Sequence, residues 1–360
     1  MKTNPLRLFA LLLMAGLGAC DAQPPSPQGF AGLGSRSAEF ASVTRDRSFS
    51  FPLDHGAHPD YRIEWWYLTA NLEDQQGRSW GVQWTLFRNA LRPAADQPGW
   101  NNPNLWMGHA AITGPYGHRH AETFARGGIG QAGVSPMPFK AWIDDWHLSG
   151  QLPGQANLTE LQVSASGSGF RYRLQLSSDK PLVLQGDKGF SQKSGQGQAS
   201  YYYSQPFLQA QGTLELDGNS YVVKGQAWLD REWSSQPLAA DQQGWDWFSL
   251  HLSSGEKLML FQLRHADGRH YRAGTWISAT GDSEVLSEQD MRIRPLQLSR
   301  VAGRKLPTRW ALSIPSKQLE LTVEALQEQA WMPTRFPYWE GPIRFRGSHQ
   351  GLGYLEMTGY

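Results

Sequence analysis

The sequence predicts an all-β protein built as two tandem antiparallel β-barrels. Three observations carry that expectation: the near-absence of helical periodicity beyond the N-terminus, many short runs in which apolar and polar residues alternate, and an internal repeat. The alternating runs fall at 62–72, 79–88, 170–176, 212–216, 258–264 and 319–326. Turn clusters such as Asp74-Gln75-Gln76-Gly77, Asp217-Gly218-Asn219 and Ser253-Ser254-Gly255 separate them. Period-two runs punctuated by Gly and Asp are the signature of antiparallel strands in a barrel or sandwich.

The repeat gives the number of units. GQAWLDREW at 225–233 lies on GLGYLEMTGY at 351–360, aligning Gly225 with Gly351, Trp228 with Tyr354, Leu229 with Leu355 and Asp230 with Glu356. EWWYLTANLEDQQGRSWGVQWTLFR at 64–88 parallels GWDWFSLHLSSGEKLMLFQLR at 244–264, each an aromatic-led strand, a Gly-containing turn and a second strand ending in Arg. Hairpins share this grammar by chance, but here both the opening and the closing segments recur in the same order. The division expected is one barrel at 45–233 and a second at 234–360. A barrel of about eight strands encloses room for side chains or one small ligand, and two side by side leave a groove between them.

Length and composition agree: 360 residues exceed what one small core organises. The net charge of +1 favours neither nucleic acid nor an anionic surface as partner. With 16 Trp and only 18% charged residues, the chain is rich in flat apolar surface.

Residues 1–20 read as a lipoprotein signal peptide. Lys2 and Arg7 precede an apolar run at 8–17 that is too short to span a bilayer, and Leu17-Gly18-Ala19-Cys20 fits a lipoprotein cleavage box. Cys20 is the only cysteine, which excludes an intramolecular disulfide and leaves lipid attachment as its expected role. Acyl chains add roughly 0.8 kcal/mol of membrane affinity per buried methylene. Residues 21–44, rich in Pro, Gly and Ser up to Ser37, read as a tether.

Chemistry is expected where charge sits among large rings. Asp230, Arg231 and Glu232 stand in a run holding Trp228, Trp233, Trp245 and Trp247, a mixture typical of a polar-lined cleft. Asp230 and Asp246 are the leading acid candidates, on the reading that alternation sets each beside Trp rings, where burial keeps a carboxyl protonated and able to donate. A structural polar network is the alternative for WLDREW. Glu64 is a third acid candidate, with a barrel-closing ion pair to Arg62 or Arg231 as its alternative. In DHGAHPDYRIEWWY at 54–67, His55 and His58 on a Gly- and Pro-containing loop are expected to line the cleft with Trp65 and Tyr67. No third ligand is fixed there, so no metal is predicted. The segment 183–207, ending in Tyr201, Tyr202 and Tyr203, reads as a lid or an inter-domain crossing, with Tyr202 a ligand contact. His109, His118 and His120 are expected to be ordinary satisfied or solvent-facing histidines. Gly128 to Gly133 formally match GxGxxG, but Pro136 and Pro138 follow in place of a helix. There is no P-loop, G-x-S-x-G elbow, H-E-x-x-H or Cys nucleophile, and no cofactor is expected.

FPLDHGAHPDYRIEWWY at 51–67, LQGDKGFS and SYYYS at 184–191 and 200–204, AWLDREWSSQ at 227–236, GWDWFSL at 244–250, and the terminal YWEGPI and GYLEMTGY together resemble the AttH-type lipocalin-like proteins. That family is grouped with carotenoid 1,2-hydratases and often named secreted hydrolases. The resemblance covers nearly all of the chain after its first segment. It implies two lipocalin-like (calycin) barrels, a ligand site within or between them, association with an ABC exporter permease, and a cofactor-free hydratase activity in distant relatives. The functional expectation is therefore a lipoprotein anchored through Cys20 to the periplasmic face of a bacterial membrane, the inner one on the strength of Asp21, that binds or hands over a hydrophobic small molecule. The alternative is a cofactor-independent hydratase or hydrolase acting on an apolar substrate with Asp230 as acid.

Overall fold

The computed structural model describes residues 33, 39–150 and 156–360. The signal peptide, Cys20, Asp21 and most of the tether lie outside them. The first sheet runs through β1 (Ile63–Asp74), β2 (Ser79–Ala90), β3 (Asn104–Gly114), β4 (Gly117–Arg126), β5 (Ala132–Pro136), β6 (Phe139–Ile143), β7 (Trp146–Gly150), β8 (Glu160–Gly167), β9 (Phe170–Ser177), β10 (Val183–Leu184), β11 (Phe190–Gln192), β12 (Ala199–Leu216) and β13 (Asn219–Ser234). The second holds β14 (Gln242–Leu252), β15 (Lys257–His265), β16 (His270–Ile277), β17 (Ser283–Val285), β18 (Arg292–Val301), β19 (Arg304–Ile314), β20 (Leu319–Ala325), β21 (Trp331–Met332), β22 (Tyr338–Gly347) and β23 (Gly351–Thr358). The protein is all-β, and both sheets are antiparallel and curl into near-barrels.

The two ladders repeat one order. In the first, β4-β3-β2-β1-β13-β12-β9-β8-β7 continues to β6 and β5, and in the second the equivalent run is β17-β16-β15-β14-β23-β22-β20-β19-β18. The hairpins at 64–88 and 244–264 are thus equivalent, each closed by the last strand of its own unit, as the sequence repeat requires. The long β12–β13 hairpin turns at Asp217 and Gly218, both at positive φ (48° and 82°). That is the twist-matched two-residue turn for which Asp-Gly is favoured.

Alternation decides what each barrel does with its two faces. Inward residues of the first unit, among them Trp66, Leu68, Trp84, Leu148, Tyr172 and Leu229, form one buried cluster. Those of the second, including Phe248, Leu250, Trp310, Trp339 and Leu355, form another. Burying each such side chain contributes roughly 1.5–3 kcal/mol. Trp66, Trp80, Trp84, Trp310 and Trp339 are fully buried inside the barrels. The outward residues of β1, β13, β14, β15 and β23, among them Tyr67, Trp228, Trp247, Phe261 and Tyr354, make a third cluster that joins the two units face to face.

Candidate functional site

That joint is not filled. Between the barrels lies a cavity of about 180 Å³, slightly larger than an engineered apolar cavity of about 150 Å³ that takes up benzene. Its apolar wall includes Ile63, Trp65, Tyr67, Phe87, Met107, Trp245, Trp247, Phe261 and Leu263, and its polar groups include Asp230, Glu232, Lys193, Tyr202, His109, Tyr338 and Glu356. Tyr67 and Trp247 meet edge to face at 5.4 Å, and Trp228 stands edge-on to Trp247 from behind at 6.5 Å.

Asp230 enters the cavity from β13 because residues 228, 230 and 232 take the outward side while Leu229 goes to the core. It accepts hydrogen bonds from Tyr202 Oη (2.8 Å), Ser204 Oγ (2.5 Å) and Trp228 Nε1 (2.7 Å). Burial nonetheless outweighs these donors and pushes its carboxyl up to about 7, with the charge of Glu232 adding to the rise. Tyr202 already accepts from Trp247 Nε1 (3.2 Å) and Ser204 from Gln185 Nε2 (2.8 Å). Asp230 also lines the cavity, so its carboxyl is within reach of a molecule held there.

The second barrel supplies a matching acid. Glu356 opposes Trp247 across the β14–β23 ladder as Asp230 opposes Tyr67 across β1–β13. By the same registers Glu340 stands where Ser204 does, and Tyr338 where Tyr202 does. Glu356 accepts from Trp245 Nε1, and burial, with the charges of Glu232 and Asp230, pushes it to about 7 as well. Glu340 lies beneath, accepting from Tyr67 Oη at 2.5 Å. Burial and the neighbouring Glu356 hold it well above the usual carboxylate range. Lys193 pairs with Glu232 at 2.8 Å and lies over the rings of Phe261 (4.4 Å) and Tyr202 (5.1 Å).

Of the residues expected at the site from sequence, Asp230, Trp65, Tyr67, Tyr202, Trp245 and Trp247 line this cavity, with Trp228 directly behind Asp230. The others lie elsewhere. Asp246 is on the opposite face of β14 from Trp245 and Trp247, since neighbours in a strand point apart. There it pairs with Arg264 (2.5 Å) and accepts from Gln262 Nε2 and Tyr360 Oη (2.8 Å each). Glu64 is buried between Arg88 (2.5 Å) and Arg231, with His58 Nδ1 at 3.0 Å. These cations hold its carboxyl well below the usual range against the desolvation that opposes them, so it is an ionised pin. The arginine partners are Arg88 and Arg231. Arg62 is not one of them. His58 stacks on Trp233 at 3.9 Å, while His55 engages Tyr203 Oη (2.7 Å) and the Ala156 carbonyl (3.0 Å). The Glu64, His58 and Trp233 group thus fastens the loop before β1 to the end of the first barrel.

Sequence reasoning did not single out Glu340, Glu356, Tyr338, Lys193 or His109 as site residues. The repeat aligns Glu356 with Asp230 and was the available signal for it. The rest converge from strands far apart in the chain.

The family model described as AttH-like matches residues 42–360. A search of curated proteins finds no match. Among solved structures, a protein from Nitrosomonas europaea assigned as an AttH is similar at 32% identity and a TM-score of 0.80, covering 89% of this chain and 100% of its own. Kievitone hydratase from Nectria haematococca is similar in fold at 15% identity and a TM-score of 0.66, covering 89% of this chain and 96% of its own. CghA, solved with Sch210972, shares the fold at 13% identity and a TM-score of 0.51, covering 84% of this chain and 89% of its own.

Proposed function

This chain belongs to the AttH-like family, and from that premise we propose that it is a cofactor-independent hydratase, adding water across a carbon–carbon double bond of an apolar substrate held between its barrels. The observation that carries this reading is the pair Asp230 and Glu356, one from each barrel, both facing a mostly apolar cavity and both near 7. A carboxyl with that pKa is present in both protonation states at neutral pH, and the two titrate as a pair because each charge disfavours the other. Asp230 donates its proton to one alkene carbon. The faces of Trp65, Trp245 and Trp247 steady the cation that forms at the other carbon, and water attacks it. The hydratase similar in fold supports the reaction class at the level of architecture.

The N-terminal sequence supports a location for this chemistry: anchoring through acylated Cys20 at the periplasmic face of a membrane, the inner one on account of Asp21; the resemblance to AttH-type proteins adds an ABC exporter as its neighbour. An apolar substrate partitions into that membrane. Cys20→Ala should then move the protein to the soluble fraction.

A second reading, that the cavity carries and hands over a hydrophobic molecule unchanged, draws on the same apolar wall and the same anchor. One experiment separates the two. The chain lacking residues 1–20 is incubated with a panel of apolar alkenes in ¹⁸O-labelled water, and products are read by mass spectrometry. A labelled alcohol that disappears in Asp230→Asn, with ligand affinity kept within a few fold, supports the hydratase. Retention of an organic ligand without any labelled product, in both proteins alike, supports the carrier.

A further inference from the structure

Three side chains at the joint, two from the first barrel and one from the second, make an arrangement the reading above does not use. His109 on β3 stands opposite Thr85 of β2 on one side and Glu122 of β4 on the other. Its Nε2 is 3.1 Å from Glu122 Oε1, and its Nδ1 is 2.9 Å from Tyr338 Oη, which comes from β22 in the other barrel. Tyr338 and His109 both line the cavity, and Glu122 is part-exposed at the far end. The imidazole lies against the Tyr338 ring at 5.6 Å and edge-on to Phe87 at 5.1 Å, so it has little freedom to turn.

The chemistry of the partners fixes the direction of the bonds. Glu122 is kept below its ordinary range by its bonds from His109 and the Arg335 backbone, against partial burial. As a carboxylate it can only accept, which assigns the proton to Nε2. Burial lowers the pKa of His109, so the ring is neutral and Nδ1 is a free acceptor. Burial, the charges of Glu340 and Glu356 and a hydrogen bond with Glu340 keep Tyr338 a phenol; Glu340, itself held well above the carboxylate range, donates in that bond, which leaves the Tyr338 O–H for Nδ1. His120, on β4 beside Glu122, and Glu340, hydrogen-bonded to Tyr338, are further titratable groups at this cluster.

We propose that Tyr338, His109 and Glu122 form a proton relay on the cavity wall, in which His109 takes up through Tyr338 the proton released when water adds to the substrate and Glu122 supports the charge. The proposal rests on the hydratase reading for its substrate and goes beyond it in assigning the base. The acid and the base then stand on different walls. The Asp230 O–H breaks as a C–H bond forms from the π pair, and water closes a C–O bond on the cation. The proton this water sheds passes to Tyr338 as Tyr338 gives its own to His109 Nδ1. Glu122 holds the resulting imidazolium by its charge without taking the proton, and once the alcohol leaves, the Nδ1 proton returns through Tyr338 and cavity water to Asp230, which restores the resting Nε2–H tautomer. The net change is alkene plus water to alcohol. Tyr338 and His109 are catalytic residues in this scheme, and Glu122 is a positioning residue that sets the tautomer.

The first test needs no substrate. Long-range ¹H–¹⁵N spectra of the histidine-labelled chain should show His109 neutral at pH 7 as the Nε2–H tautomer, with Tyr338→Phe moving the Nδ1 resonance and leaving the tautomer unchanged. A Nδ1–H tautomer, or an imidazolium at pH 7, would overturn the relay whatever the protein's reaction. The second test uses the alkene turned over in labelled water. His109→Gln should lower kcat about 100-fold or more while KM stays within about threefold, and the rise in rate with pH that reports the neutral base should vanish. Tyr338→Phe should reproduce the loss without depending on the fold of the histidine variant. An unchanged pH profile in His109→Gln overturns the relay. Failure of every alkene, with the expected tautomer present, refutes the hydratase and leaves the relay in place.

Discussion

If Asp230 holds a proton in the native state near neutrality, its ionisation opposes folding, and Asp230→Asn should show by how much. Its carboxyl stands at about 7 against an unfolded value of 3.8. The native state therefore binds one more proton than the unfolded state between those two values. Stability from this group is fully present below about pH 4, is lost as pH rises to about 7, and is flat above. Three pH units at about 1.4 kcal/mol each come to about 4 kcal/mol. The residue is fully buried, so solvent screening does not reduce that figure greatly. Asn copies the shape of the protonated acid and cannot ionise. Any fixed cost of altered hydrogen bonds to Tyr202, Ser204 and Trp228 is the same at every pH. Urea unfolding of both proteins at pH 4, 6 and 8 should show the variant gaining on the wild type by about 4 kcal/mol across that range. Parallel stability profiles would mean that Asp230 is ionised in the native cavity, and the acid role would fall with it.

Further outcomes follow from the other charges and from the shape of the cavity. Glu64→Gln leaves Arg88 and Arg231 buried without their counter-charge and should cost about 3–5 kcal/mol in denaturant unfolding at pH 7, with ligand affinity unchanged in the folded protein. Glu232→Gln removes a negative neighbour that raises both Asp230 and Glu356. The falling alkaline limb of the pH–rate profile should move to lower pH, and a shift to higher pH would contradict the electrostatic account. Leu263→Trp puts a large ring into the cavity wall and should weaken binding of an apolar fluorescent ligand by about tenfold or more, read as loss of quenching of Trp245 and Trp247.

The architecture was legible because alternation and repetition are local signals: strand faces, the Asp217-Gly218 turn and the doubled hairpin are all written within short windows. Asp230 was legible for the same reason, since Trp228 lies two residues before it on the same face. The identical rule, applied with care, excludes Asp246, which is adjacent to Trp245 and Trp247 and so points away from both. Glu64 reads from its own window as either an acid or an ion pair with Arg62 or Arg231. Only the arrival of Arg88 and Arg231 from two other strands makes it an ionised pin. His109, Glu122, Tyr338 and Glu340 come from separate strands of two barrels, and no spacing along the chain encodes their meeting.

The equivalence of Asp230 and Glu356 has a consequence for how such a protein diversifies. A carboxyl supplied twice, once by each half, can lose or alter one copy without the hollow losing its only proton source. Ser204 against Glu340, and Tyr67 against Trp247, show that the halves have already parted company around that shared group. A duplicated fold of this kind is free to give the two acids unequal tasks, and each new substrate needs to retrain only one side of the joint.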